Sequence, residues 1–343
     1  MTSIDDIAAI DPSGQLADVR ELPDHLRDAL WRVESAGLRL DPAPGGLVVC
    51  GMGGSAIGGA LAQACFGDRL EAPLHCVSGY RLPSWVPADA LVLCCSYSGT
   101  TEETVECYRQ ATERGLRRVV VTTGGVLGAS AREDGVPVIP IPAGLQPRCA
   151  VGYMLVSVLQ VAAAAGVGPQ LRSEVEAAAE LISSSQGALE GQAETVAAAI
   201  EGSVPVVYGA DLTAPVAYRW KTQVNENAKM PAFSHELPEA DHNELVGWEG
   251  APAPLGPYSA VFLCDTDHHR RDCQRIELTA ELIADSAHSV QCVGAEGKTR
   301  TERVCGGVML GDLVSLLLAA SRGVDPAPVP VIERLKDQLG RPE

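Results

Sequence analysis

Four hydroxyl side chains crowd into six residues of the segment CSYSGTTEET: Ser96, Ser98, Thr100 and Thr101, placed around Gly99. Each can donate a hydrogen bond, and the glycine lets the backbone fold around a small anion. An apolar run, Ala90–Cys94, leads in, and a helix-like stretch leads out. A helix N-terminus favours negative charge, so this is a place where a phosphate could be held. Thr100 with Glu103 also fits a capping box, which needs no ligand. A cap uses one hydroxyl, however, and leaves three over. Glu102 and Glu103 must then point away from any phosphate.

A second loop, VVCGMGGSAIGG, spans Val48–Gly59. Gly51, Gly53 and Ala56 have the G-x-G-x-x-A spacing of a dinucleotide loop. The acid expected about 20 residues on, at the end of a second strand, is not convincing: PLHCVSG ends in Ser78 and Gly79. The surplus glycine, Gly54, and the hydroxyl of Ser55 suit a small phosphate held by backbone N–H groups. A tight turn with close helix packing is the plainer account of the same glycines. A third segment, NENAKMPAFSHELPEADHNELVGWEG, covers Asn225–Gly250 and holds six acids, among them Glu226, with His235 and His242. An exposed acidic loop is its bland explanation. A zinc site would need ligand spacing that it lacks. A carboxylate with an imidazole can move protons at neutral pH.

The elements that must position these groups read as alternating. GLVVCG, PLHCVSG, ALVLCCS, RRVVVTT and VPVIPIP are short apolar runs, with helix-length stretches such as Ala56–Phe66 and Thr101–Arg114 between several of them. Near-continuous apolar strands alternating with helices imply a parallel sheet covered on both faces. After a mostly Ala, Glu, Ser and Gln stretch, helical with an expected break at SSSQG, the alternation resumes in VPVVYGA, SAVFLCD and SVQCVGA. The chain therefore divides into a helical segment (1–40), a first α/β unit (41–165), a helical connection (166–202) and a second α/β unit (203–343). Where the first unit has its hydroxyl loop, the second has the charged CDTDHHRRD.

Composition narrows the partners. The 343 residues are 46% hydrophobic with a formal charge of −18, which disfavours nucleic acid. Eleven cysteines, without a CxxC pair, suit free thiols in a reducing compartment. The acidic MTSIDDIAAIDPSG does not read as a secretion signal. The apolar Val151–Gly168 reads as a core helix and not as a membrane span. The expected location is cytoplasmic, with no membrane association.

The two loops resemble the sugar isomerase (SIS) domain, whose phosphate loop reads S-x-S-G-x-T. With QPR at Gln146–Arg148, RWKTQVNENAK from Arg219 and HNELVGW from His242, the chain resembles the bifunctional phosphoglucose/phosphomannose isomerase family over nearly its whole length. The resemblance implies an α/β fold of two tandem SIS-type domains, each a five-stranded parallel sheet flanked by helices. It implies aldose–ketose isomerisation between glucose 6-phosphate, or mannose 6-phosphate, and fructose 6-phosphate, without metal or other cofactor. It implies a homodimer with the site between subunits. Ser55, Ser96, Ser98 and Thr101, with the backbone of Gly54, match the phosphate ligands. Glu226 matches the base that carries a proton between C1 and C2. His242, supplied by the partner subunit, matches the ring-opening group. Arg148 matches the cation beside the enediolate, and Lys336 the lysine at the ring oxygen.

Two positions depart from the family pattern: Ala60 stands for the usual aspartate after the glycine loop, and Ala327 for a frequent threonine after Asp-Pro. The second bears on the mannose epimer. An amino-sugar phosphate isomerase and a non-catalytic sugar-phosphate-binding regulator are the alternatives. NENAK argues against the first, and retention of Glu226 and His242 against the second.

Overall fold

The computed structural model describes residues 2–249 and 257–340. Gly250, the end of the polar segment, and the last three residues of the second α/β unit lie outside them.

Two short helices, α1 (Gln15–Arg20) and α2 (Leu22–Ser35), precede a wholly parallel five-stranded sheet. Its strands are β1 (Leu47–Cys50), β2 (Leu74–Val77), β3 (Leu91–Cys95), β4 (Arg117–Thr122) and β5 (Val138–Pro140), in the order β2-β1-β3-β4-β5. Helices α3 (Gly54–Phe66), α4 (Glu102–Glu113), α5 (Gly125–Glu133) and α6 (Val151–Ala164) cover its faces. Alternate side chains of a strand face opposite sides. Leu47 and Val49 of β1 accordingly join one core with α3 and α6, while Val48 and Cys50 join another with α4 and α5. The apolar runs were continuous because both faces are buried.

The long α7 (Arg172–Ile200) leads to a second parallel sheet: β6 (Val204–Gly209), β7 (Phe233–Glu236), β8 (Tyr258–Cys264) and β9 (Ser289–Gly294), ordered β7-β6-β8-β9. Its helices are α8 (Ala214–Asn227), α9 (Leu245–Glu249), α10 (Arg270–Ile283), α11 (Arg300–Ser321) and α12 (Pro330–Leu339). The expectation of five strands here is corrected to four among the described residues. The winding is nonetheless the same as in the first sheet, one strand short. The expected break at SSSQG is absent too. Ser183, Ser184 and Ser185 fold their hydroxyls onto carbonyls three or four residues back, and α7 runs through unbroken. α6 and α11 are apolar enough to span a membrane by composition, but both are buried among other helices of the chain. α11 packs on α7, α8 and α3, so one helical layer lies between the sheets and shares its core with both.

Candidate active site at the junction of the two sheets

Both phosphate-loop candidates sit where an open parallel sheet binds ligands. The chain leaves β1 for β2 on one side and passes from β3 to β4 on the other, so the carboxyl ends of β1 and β3 flank the topological switch point. Gly54 opens α3 and Glu102 opens α4, which directs two helix N-termini at that point. The hydroxyls are pre-set. Ser55 Oγ accepts the Tyr97 N–H at 3.1 Å, and Ser96 Oγ accepts that of Gly99 at 3.0 Å. Ser98 Oγ accepts both the N–H and the hydroxyl of Thr100, at 3.2 and 3.0 Å. Thr101 Oγ1 lies 2.8 Å from Ser96 Oγ. A hydroxyl whose lone pair already takes an N–H keeps its own proton to give. The capping box between Thr100 and Glu103 does not form: Thr101 is the N-cap of α4 and makes no side-chain cap, and the Thr100 hydroxyl turns to Ser98. Glu102 points aside and accepts from the Tyr80 hydroxyl. Gly99, at φ 68°, is required, since a Cβ there would meet the Gly124 carbonyl oxygen at 1.9 Å.

Gly54 ties this cradle to the cation. A Cβ on it would lie 3.0 Å from the Pro147 carbonyl oxygen and 3.1 Å from Arg148 Cα. Arg148, on the 3-10 turn Pro147–Ala150, is 3% exposed and saturated with acceptors. Its Nε donates to Asn227 Oδ1 at 2.7 Å and its Nη2 to Gln15 Oε1 and to the carbonyls of Pro326 and Ala327, while Nη1 lies 3.4 Å from Glu226 Oε2. The Arg148 carbonyl in turn accepts from buried Arg219, which pairs with Asp312 at 2.6 Å. Burial raises the Asp312 carboxyl above its ordinary value, against the pull of Arg219.

Four residues of this network carried no assigned role in the sequence: Gln15, Asn227, Arg219 and Asp312. Their partners lie 71 to 212 positions away, beyond any local spacing. Lys229 was visible in NENAK. It sits at φ 53° with its ammonium on the carbonyls of Glu226 and Pro326. Burial, then the nearby Arg148 charge, lowers its pKa.

The structure thus brings Gly54, Ser55, Ser96, Ser98, Thr101, Arg148 and Glu226 to one junction, and leaves His242 and Lys336 apart. The strands of the second sheet are parallel, so α8 begins at their carboxyl edge and returns Glu226 to the amino edge. β7 then climbs back, and His242 ends the 3-10 turn Glu239–His242 at the carboxyl edge, exposed. α8 alone spans ~18 Å between Ala214 and Glu226. Within one chain His242 is at the wrong end of the sheet. Lys336 is exposed on α12.

The second switch point is closed. Thr213 Oγ1 bonds the Leu263 carbonyl and His268 Nε2, and Arg303 pairs with Asp265 at 2.8 Å. A cavity of only about 20 Å³ is left there. CDTDHHRRD stands where the first half has its hydroxyl loop, with its Asp265 carboxylate held by Arg303 and its His268 by Thr213.

Paired helix N-termini, donor hydroxyls on a five-stranded parallel sheet, and a carboxylate against a buried guanidinium define a SIS-domain sugar isomerase. Residues 189–339 match the family described as bacterial phospho-glucose isomerase C-terminal SIS domain. The bifunctional phosphoglucose/phosphomannose isomerase of Aquifex aeolicus is 38% identical over 295 residues, 86% of this chain and 90% of that one. The D-glucosamine-6-phosphate 4-epimerase of Sulfolobus acidocaldarius is 28% identical over 289 residues, 84% of this chain and 87% of that one. A glucose-6-phosphate isomerase like protein from Thermus thermophilus shares the fold, with a TM-score of 0.63 at 19% identity, covering 98% of this chain and 99% of that one. The chain belongs to the bifunctional phosphoglucose/phosphomannose isomerase family, and it is an isomerase.

Proposed function

We propose that the chain interconverts glucose 6-phosphate and fructose 6-phosphate through an enediolate, with mannose 6-phosphate as the epimeric aldose, as a cytoplasmic homodimer. The observation that carries this reading is the Arg148–Glu226 pair, joined through Gly54 to a phosphate cradle. The phosphate takes no part in bond making. Bound by Ser55, Ser96, Ser98 and Thr101, it supplies remote binding energy that fixes the reacting carbons. In the open-chain aldose, Glu226 removes the C2 proton as the carbonyl oxygen at C1 gains charge. The hydroxyl proton on O2 passes to O1, and the same carboxylic acid returns its proton to C1, leaving a hydroxyl at C1 and the ketone at C2. Arg148 faces the enediolate with a charge that its neutral acceptors leave largely available. His242 of the partner subunit opens the ring by moving a proton at the ring oxygen. Separation of Glu226 and His242 to opposite edges of one sheet supports this sharing. Free thiols at all eleven cysteines support a reducing compartment.

The test is a coupled assay of purified protein on glucose 6-phosphate, mannose 6-phosphate and fructose 6-phosphate, with glucosamine 6-phosphate as control, with and without EDTA. Isomerisation that survives the chelator is expected. Turnover confined to the amino sugar, or lost with EDTA and restored by zinc, would overturn the reading. For the shared site, mixing inactive Glu226→Gln with inactive His242→Ala subunits should restore activity. No recovery after verified subunit exchange would place both groups in one chain's site.

A further inference from the structure

Among the described residues, two apolar stripes are left uncovered on the second half of the chain. α12 has no buried residue. Val331, Leu335 and Leu339 recur every fourth position along it at 68%, 56% and 62% exposure, with Ile332 beside them. Its first turn walls a cleft of about 740 Å³ that Glu226, Lys229 and Met230 close from the other side. The root of the helix is held there, since Arg148 and Lys229 both grip the Pro326 carbonyl just before it. The other stripe is Leu278 and Leu282, one turn apart on α10 at 58% and 69% exposure, with Val246 at 71% on α9, which packs against α10. α10 anchors the His242 turn: Arg275 and Thr279 bond Asp241 at 3.1 and 3.0 Å. One stripe is therefore fixed to the segment bearing Glu226 and the other to the segment bearing His242, at opposite edges of the same sheet.

We propose that α12 lies across the α9–α10 face of a second copy of this chain, each copy clasping the other. The proposal rests on the shared site, because carrying a second copy's His242 to Glu226 brings its α9–α10 face to the root of α12. An amphipathic helix with a four-residue apolar stripe needs a complementary apolar face, and exposed patches of this kind mark interaction surfaces. Both rims carry both signs of charge: Glu333, Arg334, Lys336 and Asp337 on α12, and Arg271, Arg275, Glu277 and Glu281 on α10. The contact is made twice about a two-fold axis and so closes on itself. It also orders Lys336 beside the Glu226 cleft.

The experiment places the photocrosslinker p-benzoylphenylalanine at position 335 of the full chain, in dimers mixed from unlabelled and ¹⁵N-labelled subunits. The expected products are isotope-hybrid peptides that join α12 to residues 270–283. Leu335→Asp with Leu339→Asp should weaken the dimer at least tenfold in sedimentation, as should Leu278→Asp with Leu282→Asp. Combining the two pairs should add little to either. Hybrid crosslinks that map elsewhere, in a chain whose Glu226→Gln and His242→Ala subunits still complement, overturn the docking and leave the shared site standing. A chain giving neither hybrids nor complementation overturns both.

Discussion

Replacing Glu226 by glutamine keeps the side chain's shape and removes the negative charge paired with Arg148, so its two effects can be set side by side. On stability the cost is small. The Glu226–Arg148 contact is long, 3.4 Å, and the carboxylate is 30% exposed. The guanidinium keeps Asn227, Gln15 and the carbonyls of Pro326 and Ala327 as acceptors. A partly exposed pair of this kind is worth ~0.2–1 kcal/mol, which moves Tm by no more than about 2 °C in a chain of this size. On catalysis the cost is large. Loss of a general base removes ~10²–10⁴ in rate, or about 2.7–5.4 kcal/mol at 1.36 per decade. The two ranges do not overlap. Glu226→Gln should therefore lower kcat at least a hundredfold, with KM for fructose 6-phosphate within about threefold, because the phosphate cradle is untouched. The assay is steady-state isomerisation together with deuterium uptake at C1 and C2 from heavy water, followed by NMR. Uptake at the wild-type rate would show that another group moves the proton. A Tm drop of many degrees with a parallel loss of binding would show that Glu226 holds the site together and does not act in it.

Ser98→Ala removes a hydroxyl tied to Thr100 and should raise KM by about three- to tenfold, the ~0.5–1.5 kcal/mol of one hydrogen bond; adding Ser96→Ala, which also frees the Gly99 N–H, should raise it further, and an unchanged KM for the double variant would remove the phosphate from this loop. Asp312→Ala strands the Arg219 guanidinium at 1% exposure and should cost ~3–5 kcal/mol of stability, read in urea unfolding; a loss below about 1 kcal/mol would contradict a buried pair. Ala327→Thr should raise kcat/KM on mannose 6-phosphate relative to glucose 6-phosphate, and an unaltered ratio would separate position 327 from epimer choice. A hydrogen bond with the Cys264 thiol favours the Cys292 thiolate and pushes its pKa down to about 7. Alkylation of exposed Cys292 should thus rise through neutral pH and level off above it, and Cys264→Ala should shift that rise upward; equal rates at the buried cysteines would refute the selectivity.

What could be read from the sequence divides along physical lines. β1 and β3 were legible because burial on both faces makes them uninterrupted apolar runs, and the loops behind them because an anion cradle needs glycine and hydroxyls at adjacent positions. β7 was not, because it is an edge strand. Phe233 is 54% exposed and the rest of it is Ser234, His235 and Glu236. That segment reads as polar loop, and only its backbone pairing with β6 makes it a strand. The glycine and serines of SSSQG looked like a break because their intrinsic helix preference is weak. Packing of α7 against α11 overrode it. The resemblance supplied Arg148 and Glu226, but the sequence offered no reason why they should meet. That reason is Gln15, Asn227 and the 326–327 carbonyls, drawn from three distant segments.

The difference between the two switch points bears on how one chain divides the work. The first is open and lined with donors, and the second is closed by Thr213 and the Arg303–Asp265 pair. A closed loop cannot hold a substrate, but it fixes the start of α8, with Thr213 immediately before Ala214. α8 then acts as a strut. Trp220 packs beneath α11 with its indole N–H on the Gly307 carbonyl at 2.8 Å, and Arg219 reaches from the same helix to the Arg148 carbonyl. The far end of the strut delivers Glu226 and Asn227 to Arg148. The carboxylate and two of the groups around its cation, Asn227 and Arg219, therefore descend from one rigid helix. A positional error of about 1 Å at a reacting centre can cost about a hundredfold in rate. A second half whose switch point is filled by its own side chains, and which braces that helix, is consistent with a site whose chemistry lies at the junction.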